Sequence, residues 1–131
     1  TDPDRLPVAP ERIRSFSSEA AAVPIDVAEV WLHGDLHPGH VIVDDGRWAA
    51  VVDWGDIGVG DRATDLAAAW MQFPTVVHDE FWRAYGSVSE ATWKRARGWA
   101  IHFGLMLVDS GGGHDEVWAE SGRVTLERAC S

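Results

Sequence analysis

One lysine, one cysteine, one tyrosine and two methionines are all that 131 residues carry of those four types. The lone cysteine, Cys130, has no partner in the chain, which excludes a disulfide framework and fits a reducing, cytoplasmic setting. Basic charge is also scarce: 11 Lys and Arg stand against 21 Asp and Glu, a formal net charge of -10. Binding a nucleic acid backbone needs a basic face, so nucleic acid is excluded as a partner. No run approaches the roughly 20 apolar residues of a membrane span, and no basic segment precedes an apolar one, so neither a membrane partner nor a signal peptide is expected. The single lysine, Lys94, follows no glycine-rich loop, and "GVG" and "GGG" lack the pattern of a phosphate loop. The chain therefore offers no obvious grip for nucleotide phosphates.

What is present suits one domain with a real core. Hydrophobic residues make up 46%, and eight are tryptophan, so much of the buried area is expected to be aromatic. The acidic balance first suits general solubility, and is also compatible with a cationic substrate steered into an acidic cleft. The chain opens on Thr1, and "TDPDRLPVAP" over residues 1–9 and Pro10 reads as a linker or cut end, so a piece of a longer protein is expected. No internal repeat or low-complexity tract is visible.

Pro10 suits the first turn of a helix through "ERIRSFSSEAAA", which "PID" breaks. "EVWL" is a short strand. "HVIVDDGRWAAVVDW" reads as two strands joined at Asp45-Gly46, a pair suited to a type I′ turn. A two-residue turn pairs Asp44 with Arg47, Val43 with Trp48 and Val41 with Ala50. With Val52 these apolar residues make one face; His40, Ile42, Ala49, Val51 and Asp53 make the other. His40 then lies opposite Val51, with Asp53 as its diagonal neighbour at roughly 7–8 Å. A slip of one residue would separate them. "GDIGVGD" is a glycine-rich loop, after which Asp61 can cap a helix bearing Ala63, Leu66, Ala67, Trp70 and Met71 inward. Further helices are expected over His78 to Tyr85, ended by Gly86, and from a Ser89 cap with Trp93, Ala96, Ala100, Ile101, Leu105 and Val108 inward. "SGGGHD" ends that helix, and a last one starts near Asp115. Strands bunched before helices predict an α+β domain, mostly helical.

The densest chemistry lies in "HGDLHPGH", residues 33 to 40. Asp35 sits among Gly34, Pro38 and Gly39, a tight setting in which one carboxylate can be held to accept a proton. A turn aspartate bonded to its own backbone needs the same residues, and spacing does not choose between the two. His33 and His37 would share a face on a strand and could ligate zinc, but Pro38 and two glycines predict a bent loop with backbone-bonded histidines instead. Asp53, at a strand end, suits a cation ligand or a strand-end cap. Asp56 and Asp61 suit shaping of the loop that follows. The helical wheel turns Asp65 to solvent.

Taken together, "WLHGDLHPGHVIVDDGRWAAVVDWGDIGVGDRATDLA" resembles the core of the aminoglycoside phosphotransferase family, small-molecule kinases with a protein-kinase-like fold. The resemblance implies the carboxy-terminal lobe of such a kinase as a single domain over residues 1–131, its hairpin carrying catalytic and metal residues and its amino-terminal nucleotide lobe absent. It implies transfer of the γ-phosphate of ATP or GTP to a hydroxyl of a small, cationic or other, molecule. By position, Asp35 would be the catalytic aspartate that takes the hydroxyl proton. Asp53, in Asp-Trp-Gly, would bind magnesium. His40 stands where the family has a metal-binding asparagine, which brings manganese into question alongside magnesium. Asp65 would turn inward and brace the loop with His33, against the helical wheel. The isolated lobe would then be inactive, bind ATP weakly and self-associate through apolar surface. Two rival readings remain: a kinase-like binding module whose metal site has decayed, with His40 its best evidence, and a metal-dependent hydrolase using His33, Asp35, His37, His40 and Asp53.

Overall fold

The computed structural model describes residues 1–111 and 115–131. Helix α1 (Pro10–Ala22) opens on Pro10, as its fixed φ favours. Strand β1 (Val30–Leu32) leads into the histidine-rich loop, and β2 (Val41–Asp44) and β3 (Arg47–Val51) form the hairpin. Helices α2 (Ala63–Leu66), α3 (Ala68–Gln72), α4 (His78–Tyr85), α5 (Glu90–Gly111) and α6 (Glu116–Ala129) follow. The domain is α+β and mostly helical, as the element order predicts. Of "SGGGHD", residues 112–114 lie outside the described residues. Among the described residues, no helix is long and apolar enough to cross a membrane.

The core lies between the helices. α5 packs along both α6 and α1, and α2 and α3 close it from the loop side. Close approach of α5 and α6 depends on glycine: a Cβ on Gly122 would sit 2.6 Å from the Gly104 carbonyl oxygen and 2.7 Å from the Val108 nitrogen. Ala96, Ala100, Ile101 and Val108 are fully buried on α5, while Trp93 and Leu105 pack at the margin. Ser89 caps α5 by accepting from the Thr92 N–H at 3.0 Å. The inward set foreseen after Asp61 is buried throughout, but over two helical pieces that join at Ala67. At the amino end, Leu6 and Val8 pack against the core, which ties down part of the stretch read as linker.

Three expectations fail here. "GDIGVGD" is not loop alone: Gly58–Gly60 is a strand, β4, paired antiparallel with β1, Trp31 opposite Val59. Two glycines hid it from a reading that scores glycine against strands. The tryptophans are not mainly core: Trp70 is buried with Trp82 and Trp93 tilted against it, whereas Trp31, Trp48, Trp54, Trp99 and Trp118 are exposed. The hairpin register also shifts. Asp44 pairs with Arg47 and Val43 with Trp48, but a bulge follows, and Val41 faces Val51 rather than Ala50. The bulge absorbs Ala49 as an extra residue and mixes the two predicted faces. Neither face is buried as a whole, since Ile42, Val43 and Trp48 are all exposed. Trp48 instead stacks on Phe73, with ring centroids 5.6 Å apart.

Candidate active site

Residues 33–40 form a loop held at several points. Gly34 has φ of 90°, a left-handed conformation that disfavours any side chain, and a Cβ there would meet the Asp56 carbonyl oxygen at 2.7 Å. The buried His33 ring crosses to the hairpin: its Nε2–H donates to the Val52 carbonyl at 2.7 Å, and its Nδ1 accepts from the Asp35 N–H at 3.2 Å. That bonding pattern assigns the neutral Nε2–H tautomer. Trp54 packs edge-on against the same ring. From below, α2 supplies Asp65, whose two carboxylate oxygens accept from the N–H groups of His33 (2.7 Å) and Gly34 (2.9 Å). Helix α3 adds Gln72, which donates to the Leu36 carbonyl at 3.1 Å. Asp65 thus faces the loop, where the helical wheel turned it to solvent.

The loop closes with a 3-10 turn, Pro38–His40. His37 caps this turn with an extended backbone, and its ring lies 3.9 Å from that of His40, centroid to centroid. His37 accepts the Gly39 N–H on Nδ1 at 3.1 Å, which leaves its Nε2 facing the Asp35 carboxylate at 3.8 Å. Burial, and next the neighbouring His40, lower the His37 pKa, with the Asp35 and Asp53 carboxylates pulling the other way. Its opposite face rests on Trp118 of α6.

His40 bridges the two aspartates. Its Nδ1 lies 2.8 Å from the Asp35 carbonyl oxygen and 3.5 Å from the Asp35 carboxylate; its Nε2 lies 3.1 Å from Asp53 Oδ2. The hairpin did slip by a residue, yet His40 and Asp53 still meet. Asp53 lies beyond the end of β3 with φ of 57° and ψ of 65°, so strand alternation no longer governs where it points. The Asp35 side chain is 29% exposed, the Asp53 side chain 70%. One face of Asp35 is therefore occupied by imidazoles and another is open to an incoming molecule.

The structure brings Asp35, His40 and Asp53 together, with His33 and Asp65 beneath them. It also brings in His37, to which the kinase resemblance gave no role and which only the hydrolase alternative included: ligand atoms of Asp35, His37 and His40 all lie within 4.8 Å of one another. The signal for His37 was its spacing of three from His40 across Pro38, a residue that favours the start of such a turn. Trp118 and Gln72 carried no local signal, since each arrives by tertiary packing. Beside the loop, His37, Pro38, Gly39, Leu107, Val117 and Trp118 line a cavity of 170 Å³. A larger one of 690 Å³ lies between α1 and α5, walled in part by Asp61, Arg95 and Trp99, and no residue of the loop lines it.

Residues 2–99 match the sequence model of the phosphotransferase enzyme family. Two curated relatives, the thiamine kinases of Shigella flexneri and of Shigella flexneri serotype 5b (strain 8401), are each 30% identical over 95 residues. The match covers 70% of this chain and 33% of theirs, so the chain spans a third of the length of these relatives. No solved structure matches it.

Proposed function

The chain belongs to the phosphotransferase enzyme family, and on that footing we propose that it is the catalytic, acceptor-binding part of a small-molecule kinase with Asp35 as the base. The observation that carries this reading is Asp35 itself: a partly open carboxylate on a loop pinned by His33 and Asp65. An acceptor hydroxyl enters from the open side of Asp35. Its proton passes to the carboxylate as its oxygen bonds the γ-phosphorus, and the bond from that phosphorus to the nucleoside diphosphate breaks. The loop holds the carboxylate still, so most of the gain comes from positioning.

The donor is ATP or GTP with a divalent ion. Magnesium takes oxygen ligands in near-octahedral geometry. The exposed Asp53 carboxylate fits that need and would hold the ion; the His40 imidazole does not. Bound there, the ion neutralises charge on the nucleotide phosphates. The phosphate grip is assigned outside this chain, because Lys94, the single lysine, is paired with Glu19 and Glu90 at 3.0 and 3.1 Å.

For the acceptor, a net charge of -10 favours a cation. The relatives' names make thiamine, a cation with a free hydroxyl, the first compound to test. The test is Asp35→Asn in the full-length protein, assayed for phosphate transfer from ATP to thiamine and a panel of small alcohols. The variant should keep its fold and lose on the order of 10²–10⁴ in rate. Near-normal turnover would overturn the assignment. A second reading, a binding module with a decayed metal site, is favoured by one contact: His40 Nε2, 3.1 Å from Asp53 Oδ2, engages the oxygen that magnesium would use. Absence of transfer by the wild-type protein to every acceptor, with retained ligand binding, would favour it.

A further inference from the structure

We propose that Asp35, His37 and His40 form a binding site for a zinc-class divalent ion, distinct in its donor set from a magnesium site. Asp35 Oδ2 lies 3.8 Å from His37 Nε2 and 3.5 Å from His40 Nδ1. Zinc bonds nitrogen and oxygen at about 2.0–2.2 Å, so the edge of its tetrahedron is about 3.4 Å. The two measured edges need to contract by only a few tenths of an ångström. Two imidazoles and one carboxylate are the donors that zinc, cobalt or nickel prefer over magnesium, and three protein ligands leave a fourth position open.

The surroundings orient the ligands. His37 is buried and packed at a tilt against Trp118, ring centroids 4.7 Å apart, with Gly39 donating to its other nitrogen at 3.1 Å. His40 Nδ1 gives up its bond to the Asp35 carbonyl and turns its lone pair to the ion. Its Nε2–H then donates to Asp53 Oδ2, 3.1 Å away. Carboxylate, histidine and metal in line are how such ligands are commonly fixed. Asp53 becomes an orienting group at this site instead of a ligand. A consequence rests on the reading of Asp35 as the base: an ion on Oδ2 draws charge from the carboxylate and weakens it as a proton acceptor, so zinc should slow phosphate transfer.

The chain stripped of metal is titrated with Zn²⁺ by calorimetry in excess Mg²⁺, and separately with Co²⁺ while its visible spectrum is read. One equivalent should bind at micromolar or lower concentration without displacement by magnesium. Cobalt should give the visible bands of a four- or five-coordinate ion without a sulfur charge-transfer band, since Cys130 is remote. His37→Ala and His40→Asn should each weaken zinc at least about tenfold, and His102→Ala, an exposed histidine elsewhere, should change nothing. Circular dichroism checks each variant, and the wild-type cobalt spectrum serves even if His37→Ala fails to fold. No saturable zinc binding, binding that survives loss of both histidines, or an octahedral cobalt spectrum would each overturn the proposal. Zinc that binds the full-length protein as described and leaves phosphate transfer intact would keep the site and remove Asp35 as the base.

Discussion

Asp65→Asn tests how the loop is held. In the native chain one carboxylate oxygen accepts from His33 N–H at 2.7 Å and the other from Gly34 N–H at 2.9 Å. Hydrogen bonds to a charged acceptor contribute about 1.5–3 kcal/mol each, and neutral ones about 0.5–1.5 kcal/mol. Asparagine keeps one oxygen, so one bond survives in its weaker neutral form. The other backbone N–H then faces an NH₂ group, donor against donor. One charged bond lost and one weakened predict a destabilisation of about 2–4 kcal/mol, a large part of the 5–15 kcal/mol typical of a domain. The melting temperature should fall on the order of 10 °C.

Because the change is local, hydrogen exchange should distinguish it from general loosening. The amides of His33 and Gly34 should lose more protection than those of α5, which reports the core. Urea unfolding gives the total and exchange gives its location. An Asn variant within about 0.5 kcal/mol of wild type, or one whose His33 and Gly34 amides stay as protected as before, would refute the idea that α2 braces the loop.

Gly122→Ala should cost about 1–3 kcal/mol, because its methyl would press on the backbone of α5 at Gly104 and Val108; a variant as stable as wild type in urea would show that α6 can shift at no cost. At Asp61, burial pushes the carboxyl pKa up, but the Arg95 side chain, donating at 2.7 and 3.2 Å, and the Ala63 N–H push it down further, so the net shift is downward from 3.8. A lowered carboxyl stabilises the fold above its ordinary pKa and loses that contribution as pH falls below it. Asp61→Asn should therefore melt lower than wild type at pH 7 and approach it near pH 3, and a gap that widens on acidification would contradict the pairing. His40→Asn in the full-length protein should raise magnesium-supported transfer several-fold, since it removes an imidazole from Asp53 and restores an oxygen donor; a fall with both magnesium and manganese would give histidine a positive role.

The helices were legible because their signals are local. Pro10, Ser89 and Gly86 mark ends by their own backbone preferences, and the inward residues of α5 follow one period. Strand β4 was not legible, because what makes Gly58–Gly60 a strand is its partner β1, some 28 residues back. The hairpin was half legible. Asp45-Gly46, both at positive φ, fix the pairs next to the turn, but nothing in "RWAAVV" announces that Ala49 is extra. Once strands leave the turn, register depends on burying one face, and this hairpin buries neither, so the sequence carries little to oppose a bulge.

The site was legible by type and not by route. The argument that joined His40 to Asp53 assumed that both lay on a regular ladder, and that assumption is wrong at both ends. His40 closes a 3-10 turn before β2 begins, and Asp53 lies past β3 in a left-handed conformation. Their contact at 3.1 Å comes from two departures from strand geometry. A non-glycine residue with φ of 57° is uncommon and costs on the order of 1 kcal/mol or more. Here the surrounding bonds hold it: Val52 is fixed by His33 at its carbonyl and by His40 at its N–H, so the backbone enters Asp53 from a clamped position. His33 and His40 thus divide the work. His33 fixes the strand end that aims Asp53, and His40 meets what is aimed. A change at His33 should therefore disturb both aspartates: Asp53 through the Val52 carbonyl at 2.7 Å, and Asp35 through the backbone N–H that His33 Nδ1 accepts at 3.2 Å.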